Sequence, residues 1–371
     1  MKYAEIETQK ELKHLFHKSG DIIDKVAFQD VDLTEFEEDV SRFYFSNCLF
    51  LGCKMNEKIK HHIEEENYIF PKLEVPYNIY PNRLYDRFDL YGEYELGKPE
   101  TYEQTFDKIV YNHFIKTGKE ADSIKETLAR RLHDHSITDA LYNFLEQYDE
   151  KKVVAVMGGH SLARNTADYK MVVKLSKQLT ETGYLMTSGG GPGAMEATHV
   201  GAWFAGRSSD DLKNAFKILD TAPIYKDKRW MDTAMQVIEN YPNSEEYESL
   251  GIPTWLYGHE PPTPFASKIA KYFANSVRED GLLTIAKGGI IFSPGSAGTI
   301  QEVFQEITQN HYLSFGYASP MIFLNKKFWT EETPVYTYIQ DLVEKGKLKN
   351  LILSVCDTID EIKNELKKFK A

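Results

Sequence analysis

VVAVMGGHS at 153–161 is a short apolar run that ends in a glycine turn. The same pattern of an apolar run and a glycine turn occurs in YLMTSGGGPGAMEA at 184–197 and GIIFSPGSAGTIQE at 289–302. Apolar residues at helical spacing follow each turn. Two more apolar runs, PMIFLN at 320–325 and LILSV at 351–355, alternate with helical stretches. This alternation predicts an α/β fold with a Rossmann-like, doubly wound and mostly parallel sheet. Ligands of such a sheet bind outside the carboxyl ends of its strands.

The length of 371 residues exceeds one typical domain of about 100–200 residues. Residues 1–100 are expected to form an N-terminal region of unknown role, which the sequence does not classify. Residues 101–150 show helical periodicity and are predicted to form a helical connector. Residues 151–371 then form the α/β domain, within which residues 207–264 interrupt the strand and helix rhythm as an excursion over the site.

The N-terminal region contains apolar pairs five residues apart, Phe28 with Leu33 and Phe45 with Phe50. Such spacing is compatible with a five-residue repeat. Ordinary strands packed in a core explain it as well, and the sequence favours that interpretation.

Charge and composition narrow the classes of function. The chain has 44 Lys and Arg against 56 Asp and Glu, a formal charge of −12, so it lacks the positive field that a nucleic-acid backbone attracts. Its hydrophobic fraction of 42% is typical of a globular protein with a full core. We therefore expect a folded protein without a nucleic-acid partner.

The cysteines and the amino terminus bear on the compartment. Cys48, Cys53 and Cys356 form neither a C-x-x-C pair nor an even framework, which favours a reducing environment. The stretch MKYAEIETQKELKHLF at 1–16 is too charged for the apolar part of a signal peptide, and no segment approaches 18 consecutive apolar residues. A cytoplasmic protein without a membrane partner is the expectation.

The three glycine turns are candidates for phosphate binding. Glycine permits positive φ and close approach of a ligand, and the following helix start offers unpaired N–H groups to an anion. Each turn alone could be only a tight connection, but three at one sheet edge favour a ligand site. None fits G-x-G-x-x-G, because Glu196 stands where the last glycine is needed, and no G-x-x-x-x-G-K-[ST] occurs. The PGSAG turn also misses G-x-S-x-G, so Ser296 is not predicted to be a hydrolase nucleophile.

Glu302 lies one turn past the PGSAGT turn, on a predicted helix whose buried stripe is Ile300, Val303, Phe304 and Ile307. It points off that stripe. Two interpretations stay open: an acidic residue favoured by the helix dipole, or a carboxylate within reach of a bound sugar, where carboxylates perform glycosidic chemistry.

Histidines outside this stretch do not suggest a metal. His160, the pair His61 and His62, and the pair His133 and His135 lack a cysteine or an H-E-x-x-H context. We predict no metal and no cofactor, with His160 near the ligand.

Taken in order, GGHS, SGGGPGAMEA, EPPTP at 260–264, Arg278 and PGSAGTIQE resemble the lonely guy family of phosphoribohydrolases. That family carries a GGG turn, an arginine and a PGGxGTxxE signature in the same order. The GGHS and EPPTP motifs look closest to the larger bacterial pyrimidine/purine nucleotide 5′-monophosphate nucleosidases of that superfamily. The similarity covers about residues 151–325, and Ser296 stands where the family usually has a second glycine.

The resemblance implies that residues 151–371 are a nucleotide-binding catalytic domain. It implies hydrolysis of the N-glycosidic bond of a nucleoside 5′-monophosphate such as AMP, GMP, IMP, CMP or UMP, without a cofactor, by a homodimer or higher homo-oligomer. By motif match, Arg278 and Glu302 take the catalytic positions. The expected substrate-binding residues are those of the three turns: Gly158, Gly159, His160, Ser161, Gly189, Gly190, Gly191, Gly193, Met195, Glu196, Pro294, Gly295, Ser296, Ala297, Gly298 and Thr299.

Two functions from different classes follow from these motifs. The first is the nucleosidase, in which the PGSAGT turn holds the 5′-phosphate while the GGG and GGHS turns contact ribose and base. The alternative is a non-catalytic nucleotide-sensing protein that keeps the phosphate turns without turnover. The presence of both Arg278 and Glu302 favours the enzyme.

Overall fold

The structure, a computed structural model, describes residues 3–18, 20–244 and 246–369. The described residues form two compact units. Unit 1 is drawn from Met1–Leu84 and Ile115–Tyr142, and unit 2 from Tyr85–Phe114 and Asn143–Ala371.

Unit 1 begins with short parallel strands joined by helices. Its strands are β1 (Ala4–Ile6), β2 (Ile22–Asp24), β3 (Val26–Gln29), β4 (Tyr44–Ser46), β5 (Leu49–Leu51) and β6 (Tyr68–Phe70), and its first helices are α1 (Gln9–Lys18), α2 (Glu37–Val40) and α3 (Glu57–Ile63). One sheet has the order β1-β3-β5-β6 and a second pairs β2 with β4. All these pairings are parallel.

The paired strands of unit 1 up to β5 lie 22 residues apart, as the register shows by pairing Ile22 with Tyr44 and Ala27 with Leu49. The last strand, β6, follows β5 at a spacing of 19 residues. The rings of Phe28 and Phe50, also 22 apart, stack in the core with centroids 4.8 Å apart and an interplanar angle of 5°. The residues of the pairs five apart, Phe28 with Leu33 and Phe45 with Phe50, all lie buried in this same core.

Three helices follow unit 1's strands in the chain: α4 (Arg87–Tyr91), α5 (Phe106–Thr117) and α6 (Ile124–Leu145). The helical periodicity predicted for residues 101–150 is present, but α5 and α6 each contribute to both compact units. The predicted domain limits at residues 100 and 150 stay a prediction.

Unit 2 alternates strand and helix, as its sequence predicts. Its strands are β7 (Val153–Met157), β8 (Leu185–Ser188), β9 (Ser249–Gly251), β10 (Lys268–Ile269), β11 (Gly289–Phe292), β12 (Pro320–Leu324) and β13 (Ile352–Cys356). Its helices after α6 are α7 (Ala167–Thr180), α8 (Ala194–Trp203), α9 (Ser209–Leu219), α10 (Trp230–Asn240), α11 (Asn275–Ile285), α12 (Ala297–Tyr312), α13 (Val335–Glu344) and α14 (Ile359–Lys368). Short 3₁₀ turns lie at Thr34–Phe36, Pro99–Gln104, Glu150–Lys152 and Trp255–Tyr257, and a π-helical turn lies at Phe328–Glu332.

The seven strands of unit 2 form one parallel sheet of order β10-β9-β8-β7-β11-β12-β13. From β7 the chain builds outward through β8 and β9, and it then returns to β11 on the other side of β7. The strand order therefore reverses between β7 and β11, which is where open α/β sheets bind ligands. The prediction of a Rossmann-like, mostly parallel α/β fold is confirmed.

The core explains this arrangement. All residues of β7, β8, β11 and β12 are buried, as expected for parallel strands covered on both faces. Alternate residues of β7, Val154 and Val156, belong to the same buried core as Tyr169 and Val173 of α7. Each fully buried apolar side chain of this size contributes about 1.5–3 kcal/mol to folding. This packing holds the carboxyl ends of β7 and β11 side by side.

The segment predicted as an excursion over the site, residues 207–264, contains α9, α10 and β9.

Among the described residues, no helix is both long enough and apolar enough to cross a bilayer.

Candidate functional site

A cavity of about 450 Å³ opens at the carboxyl ends of β7, β8 and β11. This volume is in the range of small-molecule sites. All three glycine turns reach it. Twelve of the residues named from the sequence line the cavity: Gly158, Gly159, His160, Gly189, Gly191, Met195, Arg278, Ser296, Ala297, Gly298, Thr299 and Glu302.

Backbone hydrogen bonds join the turns to one another. The Gly159 N–H donates to the Pro294 carbonyl at 3.2 Å, which ties the GGHS turn to the PGSAGT turn. The Gly159 carbonyl accepts from the Ala194 N–H at 3.1 Å, which ties it to the start of α8. The first N–H of α8 is therefore occupied by protein and is not offered to a ligand.

Gly193 permits the contact between the GGHS turn and α8. Its φ is +72°, and a methyl group built on it would overlap the Gly159 carbonyl oxygen and lie 2.7 Å from the His160 carbonyl carbon. We expect Gly193→Ala to destabilise unit 2 by more than the roughly 1–2 kcal/mol that left-handed φ costs an alanine, because backbone must also move. Gly183 is the matched control, since it has φ +84° but nothing within 4 Å of a built methyl. Equal losses for both variants in chemical unfolding would contradict this explanation.

The PGSAGT turn presents an uncapped helix start. Ser296 is the N-cap of α12, yet its side chain makes no capping hydrogen bond. Ala297, Gly298 and Thr299, the first three residues of α12, line the cavity. The first N–H groups of a helix have no intrahelical partner and carry partial positive charge, so this end can bind an anion.

The Glu302 side chain faces the cavity one turn further along α12 and is partly buried. Loss of solvent raises its pKa from 4.5 to about 7. The positive charge of Arg278 lowers the pKa of this carboxyl and the negative charge of Glu279 raises it. Arg278 therefore favours the ionised carboxylate of Glu302, but desolvation is the larger cause and raises the pKa overall.

Arg278 lies on the first turns of α11 with a buried side chain. Its Nε and Nη2 donate to the Asn275 Oδ1 at 3.1 and 3.0 Å, and Nη2 also donates to the Glu279 Oε1 at 3.1 Å. The remaining nitrogen, Nη1, faces Gly189, where a built methyl would lie 3.1 Å away. Glycine at this position therefore leaves one face of the guanidinium reachable from the cavity.

One part of the cavity wall was not assigned from the sequence. It contains Pro253, Thr254, Tyr257 and Glu260, of which Tyr257 is exposed. The Glu260 Oε1 lies 3.8 Å from the His160 Nε2 and 3.7 Å from the His259 Nε2. Glu260 belongs to the EPPTP motif, which was the feature of the sequence that could have indicated this part of the cavity wall. Tyr257 lies in WLYGH, which carries no recognisable motif.

Four of the predicted substrate-binding residues, Ser161, Gly190, Pro294 and Gly295, do not line this cavity. Gly190 instead accepts from the Thr263 N–H at 2.8 Å and so ties the GGG turn to the EPPTP segment. Gly295 packs against Thr299, whose side chain a methyl at this position would overlap. Gly190 and Gly295 therefore support the conformation of the turns without facing the cavity.

Gly193 and Glu196 are also absent from the cavity wall, and with Ser161 they border a smaller cavity of about 160 Å³. The Glu196 carboxylate is fully buried. It accepts from the Arg164 Nε at 2.8 Å and from the Tyr169 hydroxyl at 2.9 Å. This carboxylate therefore binds buried side chains and does not face the main cavity.

In the described part of the chain, no cluster of three or more His, Cys, Asp or Glu side chains has the geometry to hold a metal ion. Cys48, Cys53 and Cys356 are free thiols.

Comparisons with known proteins return structures but no sequence family. No family model matches the chain, and no curated protein matches it. A molybdenum cofactor binding protein from the phototrophic bacterium Rippkaea orientalis is similar at 13% identity and a TM-score of 0.37, over 58% of this chain and 95% of that one. TM1055, a structural genomics target, is similar at 18% identity and a TM-score of 0.37, over 58% and 99% of the two chains.

A third similar structure is the molybdenum cofactor carrier protein from Chlamydomonas reinhardtii, at 14% identity and a TM-score of 0.34, over 58% of this chain and 96% of that one. Scores and identities this low assign the chain to no family. What is established for it is a Rossmann-like α/β sheet with a cavity at its switch point, lined by three glycine turns, Arg278 and Glu302.

Proposed function

We propose that unit 2 hydrolyses the N-glycosidic bond of a nucleoside 5′-monophosphate such as AMP, GMP, IMP, CMP or UMP. The products are the free base and ribose 5-phosphate. One observation supports this most directly: an uncapped helix start, an arginine and a carboxyl group with a pKa of about 7 line the same cavity.

The phosphate is assigned to the start of α12. Three carboxylates, Glu260, Glu279 and Glu302, line the cavity, and Arg278 is its one arginine or lysine among the lining residues. Since those carboxylates repel an anion, the uncapped N–H groups of Ala297–Thr299 are the most favourable position for the 5′-phosphate. The ribose of a nucleotide held there would lie toward Glu302, one helical turn away.

Hydrolysis breaks the bond between C1′ and the base nitrogen, and the bonding electrons leave with the base. Water forms the new C1′–O bond, and the base gains a proton. Glu302 assists either by accepting the proton of that water or by donating a proton to the base. A pKa of about 7 populates both states of the carboxyl near neutral pH. Arg278 would bind ribose or phosphate through its free Nη1.

The base is assigned to the part of the wall that contains Pro253, Thr254, Tyr257 and Glu260. Tyr257 offers an exposed ring there, and Glu260 and His160 offer polar groups. A tyrosine ring can stack on any nucleobase, which suits a site that accepts several bases.

The proposal predicts a strong preference for the phosphorylated substrate. We expect kcat/KM for AMP to exceed that for adenosine by at least about 10²-fold, because charge-assisted hydrogen bonds of about 1.5–3 kcal/mol each are lost with the phosphate. The values of kcat/KM for AMP and for adenosine are obtained by measuring the release of adenine by chromatography at several substrate concentrations. Equal values for AMP and adenosine would remove the basis for assigning the phosphate to the start of α12.

The same assay separates the enzyme from a nucleotide sensor. AMP that binds by calorimetry, without release of base by the wild-type protein, would support the sensor and contradict the nucleosidase. The other four monophosphates serve as a panel, so that a narrow base preference is not mistaken for inactivity.

A further inference from the structure

Glu279 follows Arg278 on α11 and connects three groups at the edge of the cavity. Its Oε1 accepts from the Asn275 Nδ2 at 2.7 Å and from the Arg278 Nη2 at 3.1 Å. Its Oε2 accepts from the Gln301 Nε2 at 2.9 Å, across the interface between α11 and α12. Gln301 is the residue directly before Glu302.

We propose that Glu279 is a positioning residue for the proposed reaction: its carboxylate fixes the Arg278 guanidinium and α12 relative to each other, and it places a negative charge beside Glu302. This inference rests on the proposed function. It adds a role for a residue that the motifs of the chain do not mark.

The positioning follows from the hydrogen bonds of Arg278. Asn275 and Glu279 together occupy Nε and Nη2, so the guanidinium plane is held from one side. Nη1 is left to face Gly189 and the cavity. Because the Glu279 side chain is only 18% exposed, water competes little for its ion pair with Arg278. A ligand can therefore meet a guanidinium that is already oriented.

The charge of Glu279 acts on Glu302 in a definite direction. A neighbouring negative charge favours the protonated carboxyl, and the charge of Glu279 raises the pKa of Glu302 while the charge of Arg278 lowers it. The other titratable groups around Glu302 are His160 and Glu260 on the cavity wall and Glu306 on α12 itself. The charges that act on the pKa of Glu302 are those of Arg278, which lowers it, and Glu279, which raises it. Removing the charge of Glu279 should therefore lower it.

The chain contains a matched control one residue along. Asp280 is also an acid on α11 and accepts from a glutamine of α12, Gln305, at 3.3 Å. Unlike Glu279, it does not line the cavity. The variants Glu279→Gln and Asp280→Asn thus both remove a charge from a contact between α11 and α12, but only the first removes it from beside Glu302.

The test is the pH dependence of kcat/KM for AMP. We expect the midpoint assigned to Glu302 to move to lower pH by about half a unit to one unit in Glu279→Gln, and to stay in place in Asp280→Asn. The direction is the same whether Glu302 acts as acid or base, because either limb follows its pKa. Glu279→Asp keeps the charge and should keep the midpoint. An unmoved midpoint in Glu279→Gln, or the same shift in Asp280→Asn, overturns the proposal.

A second measurement does not depend on activity. The protonated carboxyl of Glu302 can be followed by infrared spectroscopy, as the band that wild type shows and Glu302→Gln lacks. In Glu279→Gln this band should disappear at a lower pH than in wild type, even if no base is released. A shifted band without any release of base would contradict the nucleosidase proposal and support the electrostatic role of Glu279. An unshifted band would overturn that role. Glu279→Ser carries the same expectation and serves if the amide variant does not fold.

Discussion

Replacing Glu302 with glutamine is expected to lower kcat for AMP hydrolysis by about 10²- to 10⁴-fold, the contribution of a positioned acid or base, with little change in the Kd for AMP. The amide has nearly the same volume, and the side chain faces the cavity rather than the core. A neutral amide can neither accept a proton from water nor supply one from a carboxyl group. The N–H groups at the start of α12 are unchanged, so the phosphate should still bind.

The control for this variant is Glu306→Gln, the same substitution one turn further along α12. Glu306 also has a pKa raised to about 7 by burial, but its carboxyl accepts from Ser319 and does not line the cavity. We expect it to retain turnover. If Glu302 were only a helix-dipole partner, Glu302→Gln would cost about 0.3–1 kcal/mol of stability and leave kcat nearly unchanged. Single-turnover measurements with bound AMP separate these cases.

The central strands of unit 2 could be predicted because they are buried on both faces and therefore read as continuous apolar runs. VVAVM was predicted at 153–157, and β7 has those bounds. The strands β9 and β10, at one side of the sheet, were missed. They are three and two residues long, with the sequences SLG and KI, and so contain no run that periodicity could detect.

The repeat of unit 1 was hidden for a different reason. Its bends lie at equivalent positions 22 residues apart, with positive φ at Lys25 and Asn47 and again at Asp30 and Gly52. Three of these four residues are not glycine, so the usual marker of a left-handed turn is missing. Two coils are also too few for a repeat to stand out in the sequence.

Motifs located the glycine turns of the candidate site because the chemistry there depends on backbone and on the lack of side chains. They could not locate the wall formed by Pro253, Thr254 and Tyr257, which the 3₁₀ turn at Trp255–Tyr257 brings to the cavity. Glu279 was passed over because a charge after an arginine on a helix looks like solvated surface. Its role depends on Gln301, a contact between two helices that sequence spacing does not reveal.

For Glu196, the motif predicted a ligand contact that the structure does not show. Its place in GGGPGAME suggested a ligand contact, but its partner is Arg164, 32 residues earlier and fully buried. Arg164 also donates through Nη1 to the Trp230 carbonyl at 3.1 Å and to the Thr233 hydroxyl at 2.8 Å. The pair thus joins the segment after the GGHS turn, the start of α8 and the start of α10 behind the cavity.

Breaking this pair is expected to cause a large loss of stability. Arg164→Met leaves the Glu196 carboxylate buried with only the Tyr169 hydroxyl as a partner, and loss of one member of a buried pair costs about 3–5 kcal/mol. Tryptophan fluorescence in a denaturant titration is a suitable measurement. The four tryptophans, Trp203, Trp230, Trp255 and Trp329, are all buried within unit 2, so the signal reports the unfolding of that unit.

The double variant Arg164→Met with Glu196→Gln decides the cause of that loss. If the cost comes from an uncompensated buried charge, the neutral glutamine should recover much of the lost stability, because a buried ion pair replaced as a whole is often close to neutral. If the double variant is as unstable as Arg164→Met alone, the cost instead comes from the hydrogen bonds that Arg164 donates to the carbonyl groups of Ala222 and Trp230. In either case binding of AMP should weaken together with stability, since Arg164 holds the segments that carry two of the three glycine turns. Unchanged stability in Arg164→Met would show that the pair does not support this side of the cavity.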